Sequence, residues 1–97
     1  MEPALDSDSD YLLKLFVAGH SQRSEAAISN LRHICDSELA GQHELVVIDI
    51  VEQPDAADAA RILATPTLIK ESPPPVRRII GDLSDRDKVI AGLGLQP

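Results

Sequence analysis

Cys35 is the chain's one thiol, and His20, His33 and His43 are its three imidazoles. With Ser21 and Ser24 close to His20, they are the side chains that could act as nucleophiles, redox centres or metal ligands. A reactive dithiol needs Cys-x-x-Cys at a helix N-terminus, where the helix dipole lowers the thiol pKa. The turn that would hold it reads Gly19-His20-Ser21-Gln22-Arg23-Ser24. Cys35 comes more than two helical turns later, on an apolar stripe, and reads as a small core residue. A single cysteine forms no internal disulfide and makes no thiolate zinc site without several other ligands nearby. The histidines lack the i,i+4 spacing and carboxylate company of a metal motif and read as surface residues. Ser21 or Ser24 with His20 lacks the positioned third group of a triad. The glycines match neither a dinucleotide fingerprint nor a P-loop. These residues predict a protein that is not an enzyme and that takes no cofactor or metal.

What remains is recognition. Lys70 with Arg77-Arg78 makes a small basic group on a chain of net charge -7, placed where strand residues would point outwards, and an acidic protein surface is the complementary partner. The net charge has the wrong sign for nucleic acid. No apolar run approaches the roughly 20 residues that cross a bilayer. Glu2, Asp6, Asp8 and Asp10 stand where a signal peptide would be basic, so a cytoplasmic location is expected.

Ninety-seven residues make one domain. Residues 1–10 are acidic and poor in apolar side chains, and are expected to form a disordered tail before a single domain over 11–97. Tyr11 to Val17 reads as a central strand, apolar on both faces apart from Lys14. Ser21 is a candidate N-cap, with Ala27, Ile28, Leu31, Ile34, Cys35 and Leu39 at helical spacing and Gly41 as the C′ residue. Leu45 to Val51 is a second strand, which makes a right-handed parallel β-α-β unit. Pro54 opens a short, closely packed alanine-rich helix. Pro66 starts a third strand that runs through Lys70. After Pro73-Pro74-Pro75, Val76 to Ile80 is a fourth strand antiparallel to the third. Ser84 with Asp87 opens a last helix that Gly92 and Gly94 end. The order β-α-β-α-β-β-α gives an α/β fold with one mixed four-stranded sheet and helices packed over it. A Thr65-Pro66-Thr67 turn into a strand after such a unit resembles the cis-proline turn of the thioredoxin fold.

Tyr11 to Gly19, Val47 to Ile50, Ile62 to Leu68 and Pro73 to Ser84 closely resemble the KaiB family of cyanobacterial clock proteins, and the resemblance runs from Tyr11 to Leu93 without a gap. It implies a non-enzymatic protein that docks on the N-terminal ATPase ring of a KaiC-like hexamer and competes there with the sensory domain of a histidine kinase, with KaiA-like clock proteins as further partners. By the same resemblance Lys70, Pro74 and Arg78 are docking residues, followed by Glu44 and Tyr11. Typical members carry Lys at Val46 and Arg at Ala26, and a longer acidic C-terminus, so the chain reads as a divergent or additional copy. A thioredoxin-like redox or stress adaptor with a partner outside the clock is the alternative.

The resemblance also implies a metamorphic chain, either a tetramer or a thioredoxin-like monomer with Thr65-Pro66 cis, the switch lying around Gly81, Asp82, Ser84, Gly92 and Gly94. The tetramer needs a strand near the C-terminus, which Gly92, Gly94 and Pro97 would weaken. The thioredoxin-like monomer is therefore the expected resting form.

Overall fold

A computed structural model describes residues 11–95; the expected tail lies outside them. Four strands and three helices follow in the order β1 (Tyr11–Val17), α1 (Gln22–Glu38), β2 (His43–Asp49), α2 (Pro54–Ala60), β3 (Thr67–Ser72), β4 (Arg77–Ile80) and α3 (Arg86–Gly92). They form one sheet of order β2-β1-β3-β4. β1 is parallel to β2 and antiparallel to β3, and β3 is antiparallel to β4. Opposite Leu12 and Leu13 the β1–β3 register slips, leaving Glu71 as an extra residue on β3.

Alternation along β1 divides the core. Leu13, Leu15 and Val17 face α1 and α3, where Leu31, Ile34, Cys35, Val89, Ile90 and Leu93 meet them. Phe16 faces the other way, with Ile48 and Ile69, under Ala56 and Ala60 of α2. No residue of α2 is buried, so this helix is a thin cover rather than the closely packed one predicted. Alanine stems are too short to fill the space above Phe16.

The helix ends differ from the sequence reading in instructive ways. Ser21 caps α1 through Ser24 N–H as expected. The C-cap is Leu39, however, and Gly41 (φ +75°) comes two residues after it instead of at C′. At α3 the N-cap is Asp85, which accepts from Lys88 N–H, because Ser84 is drawn into a turn by Asp82. As expected, α3 ends at Gly92, its last residue, which packs against Ile79. Gly94 is the stop. Its N–H bonds Ala91 O and that of Leu95 bonds Ile90 O, the pair of hydrogen bonds of a Schellman turn, with Gly94 supplying the left-handed φ of +79°. No strand forms between Val89 and Leu95. Strands also shift: β2 spans His43–Asp49, β3 runs on to Ser72, and β4 starts at Arg77.

Among the described residues no helix is long and apolar enough to cross a membrane, and no three His, Cys, Asp or Glu side chains group as a metal site.

Candidate docking surface

The turn after β1 is closed by polar contacts within the chain. Asp49, at the end of β2, accepts from Gly19 N–H at 3.0 Å and Val51 N–H at 2.9 Å through one carboxylate oxygen. These two donors, Gly19 first, hold its carboxyl below the usual carboxylate range. Ser21 Oγ takes Ser24 N–H at 3.2 Å, and Ser24 Oγ donates to Ala18 O at 3.3 Å. His20 lies exposed, 3.3 Å from Glu25. The hydroxyls here are spent on the helix start and the backbone, with no third group on His20 other than that surface carboxylate.

Cys35 is wholly buried on α1. Burial, followed by the neighbouring Asp36 charge, pushes its thiol up to about 11. A thiol held neutral at physiological pH is a poor nucleophile. His43 is a structural donor, its Nδ1 lying 3.1 Å from Leu39 O.

The basic residues do not form the single outward group expected of them. Lys70 is only 4% exposed, a correction to its reading as an outward-pointing residue. Its register partners are Leu13 and Arg77, so it faces the α1/α3 side, where its ammonium lies 6.0 Å from the centroid of the Tyr11 ring and beside Gly94. The Schellman turn roofs it over. Arg78, paired with Ile69, projects on the opposite face and donates to the carbonyls of Ala60 and Arg61 at the end of α2. Lys70 and Arg78 are thus separated by the sheet, and Arg77, not Arg78, shares a face with Lys70.

Pro74 stands exposed at the tip of the β3–β4 connection, between the cis bonds Ser72-Pro73 and Pro74-Pro75; Thr65-Pro66 is cis as well. Glu44 is exposed on β2, one edge of the sheet, and Tyr11 is half-buried. After β4, Gly81 (φ +126°) donates its N–H to Pro66 O, and Asp82 O accepts from Asn30 Nδ2 at 2.9 Å. The Ser84 hydroxyl and then its N–H hold the Asp82 carboxyl low. Leu83 (φ +64°) enters the left-handed region to drive its side chain into the core.

Three features were not singled out from the sequence: the Asp49 clamp, the left-handed Leu83, and the exposed apolar Leu63 (96%), Val76 (59%) and Ile80 (60%). Val76, just before β4, and Ile80, its last residue, flank Arg77 and Arg78, a pattern visible in the sequence once β4 is known to be an edge.

A parallel β-α-β unit, a cis-proline strand start and an antiparallel hairpin closed by a last helix define a thioredoxin-like protein, here with its redox turn replaced by a capping network. Oxidized mitochondrial thioredoxin 3 of Saccharomyces cerevisiae shares the fold at a TM-score of 0.68, over 90% of this chain and 82% of that one, with 22% identity. The chain belongs to the KaiB family: the KaiB domain matches residues 14–95. The circadian clock oscillator protein KaiB of Prochlorococcus marinus (strain MIT 9312) is 56% identical over 85 residues, which are 88% of this chain and 81% of that protein. The N-terminal domain of Synechococcus elongatus SasA has a TM-score of 0.72 and 27% identity, covering 91% of this chain and 87% of that domain.

Proposed function

We propose that this chain is a non-catalytic clock protein that docks on the N-terminal ATPase ring of a KaiC-like hexamer, in competition with the sensory domain of a histidine kinase. The observation that carries this reading is the shared frame with the SasA N-terminal domain, joined to the 56% identity with a KaiB relative. Two proteins with one frame can offer one binding face to one partner. The replaced redox turn and the covered Cys35 thiol favour this reading over a redox adaptor.

Pro74, Arg78, Glu44 and Tyr11 supply the contacts. Lys70 acts by holding Tyr11 and the α3 end in place, since little of it reaches the surface. The thioredoxin-like monomer is the resting and binding-competent form, and Gly81, Asp82, Ser84, Gly92 and Gly94 bound the segment that would rearrange in a tetramer.

The test is a pull-down with the KaiC ring of the same genome. Capture by that ring, its loss in Arg78→Glu, and displacement by the isolated kinase sensory domain are expected; failure of the parent chain to bind would overturn the reading. Sedimentation at micromolar concentration should give a monomer, and a stable tetramer would contradict the resting form.

A further inference from the structure

The two edge strands of the sheet, β2 and β4, differ in charge. β2 carries Glu44 and Asp49 with no Lys or Arg, whereas β4 reads Arg77-Arg78-Ile79-Ile80. Gly81 N–H bonds Pro66 O at 2.9 Å, so in the alternating antiparallel pattern Ile79 and Arg77 turn their backbone groups towards β3. The N–H and C=O of Arg78 and Ile80 therefore face outwards, unclaimed by the sheet, and no proline stands within the strand. Ile80 and, just before the strand, Val76 add exposed apolar side chains. Arg77 and Arg78 are exposed, and among the described residues neither is paired with a carboxylate. The carbonyls of Ala60 and Arg61 hold the Arg78 guanidinium in place without neutralising it.

We propose that the β4 edge docks an extended acidic segment of a partner protein, which adds to the sheet as a strand antiparallel to β4. The open N–H and C=O groups of Arg78 and Ile80 supply the main-chain hydrogen bonds of such an addition, and the side chains beside them supply the choice of segment. Antiparallel pairing is the more stable direction per residue. In that direction the residues opposite Ile80 and Arg78 lie on one face of the sheet, and the residue opposite Arg77 lies on the other. The segment that fits therefore reads, from its N-terminus, an apolar residue against Ile80, any residue opposite Ile79, then two acidic residues against Arg78 and Arg77. A further apolar residue comes next to Val76. Charge complementarity also selects the edge, because Glu44 and Asp49 on β2 repel the same segment. A second copy of β4 would bring arginines against arginines, which opposes self-pairing. The inference goes beyond ring docking, with which it shares Arg78 alone, and its test uses no ring.

The test is residue-resolved amide hydrogen exchange on the full chain with a synthetic end-blocked peptide, Thr-Ile-Thr-Glu-Glu-Val-Thr, and with the same peptide carrying Lys-Lys for Glu-Glu. At millimolar acidic peptide and low ionic strength the Arg78 and Ile80 amides should exchange at least about threefold more slowly, and added salt should shrink the effect. The lysine peptide should leave both amides unchanged. In Arg77→Glu the acidic peptide should lose its effect, while unchanged exchange at the Leu13 and Leu15 amides of β1 reports an intact fold. Unchanged exchange at Arg78 and Ile80 of the parent with the acidic peptide overturns the proposal, as does equal protection by the lysine peptide. Protection at Glu44 and Val46 instead would place the segment on β2 and overturn it as well. So would protection without peptide that grows with protein concentration, because the occupant is then a second copy.

Discussion

Gly92 leaves no room for a side chain beside Ile79: a Cβ added there would meet Ile79 Cδ1 at 2.5 Å and Cγ1 at 2.9 Å. This glycine serves close approach of α3 to β4, since its φ is not in the left-handed region.

Gly92→Ala should therefore destabilise the protein although alanine is the better helix former. The helix gains at most about 1 kcal/mol, whereas overpacking a buried contact costs about 1–3 kcal/mol. A net loss of about 1 kcal/mol, read by urea unfolding, is expected. Ile79→Val removes Cδ1 and should recover part of it in the double variant, giving a favourable coupling energy. Additive losses would show that the two residues do not collide.

Acid should weaken the fold through Asp49. Its folded pKa lies below the ordinary carboxylate value, so the unfolded chain binds the proton more readily and stability falls as the pH drops. The contribution is complete above about pH 4 and is lost as pH falls through the lowered folded pKa. Asp49→Asn should be less stable than the parent at neutral pH and should show a shallower acid limb in a plot of Tm against pH. Parallel acid limbs would place the titration elsewhere.

Cys35 should be silent towards thiol reagents in the native state. With its thiol raised to about 11 and wholly buried, labelling at pH 8 should follow global unfolding rather than a surface reaction. Labelling rates should rise with urea in step with the unfolded fraction, and fast labelling in buffer would refute this. Insulin reduction should be absent.

Lys70→Met keeps the stem under the α3 end while removing a covered ammonium, and stability should stay within about 1.5 kcal/mol of the parent. Lys70→Glu places a carboxylate against the Tyr11 ring face in the same covered position and should cost more than about 2 kcal/mol. Thermal unfolding separates the two. A surface Lys70 would tolerate both changes equally. Loss of partner binding in Lys70→Glu is therefore informative only beside Lys70→Met.

Most of the architecture was legible because its signals are local. The apolar strands, the Ser21 cap, Pro54 at the first position of α2 and the Pro66 strand start each depend on a few neighbouring residues. Ser84 misled because Asp82, two residues earlier, claims its N–H, so the cap passes to Asp85. Lys70 misled for a reason of tertiary origin: its face is open in the strand pattern and closed only when the turn at Gly94 folds over it. Lys70 and Arg78 are both basic and both on the hairpin, yet only the β3–β4 register reveals that they project from opposite faces.

The antiparallel ladder between β1 and β3 has a mechanical meaning. Among the described residues it is the one run of strand pairing that joins the β1–α1–β2 unit to the β3–β4 hairpin, and it consists of five register pairs broken by the bulge at Glu71. Outside the ladder the blocks share the core of Leu13, Leu15 and Leu31 with Val89, Ile90 and Leu93, and Asn30 with Asp82 and Arg86 with Ser37 and Glu38 add polar ties. Pulling the two blocks apart therefore has to break this ladder and split the shared core at the same time, with the Lys14–Glu71 ion pair, 4.0 Å apart, lying at the bulge.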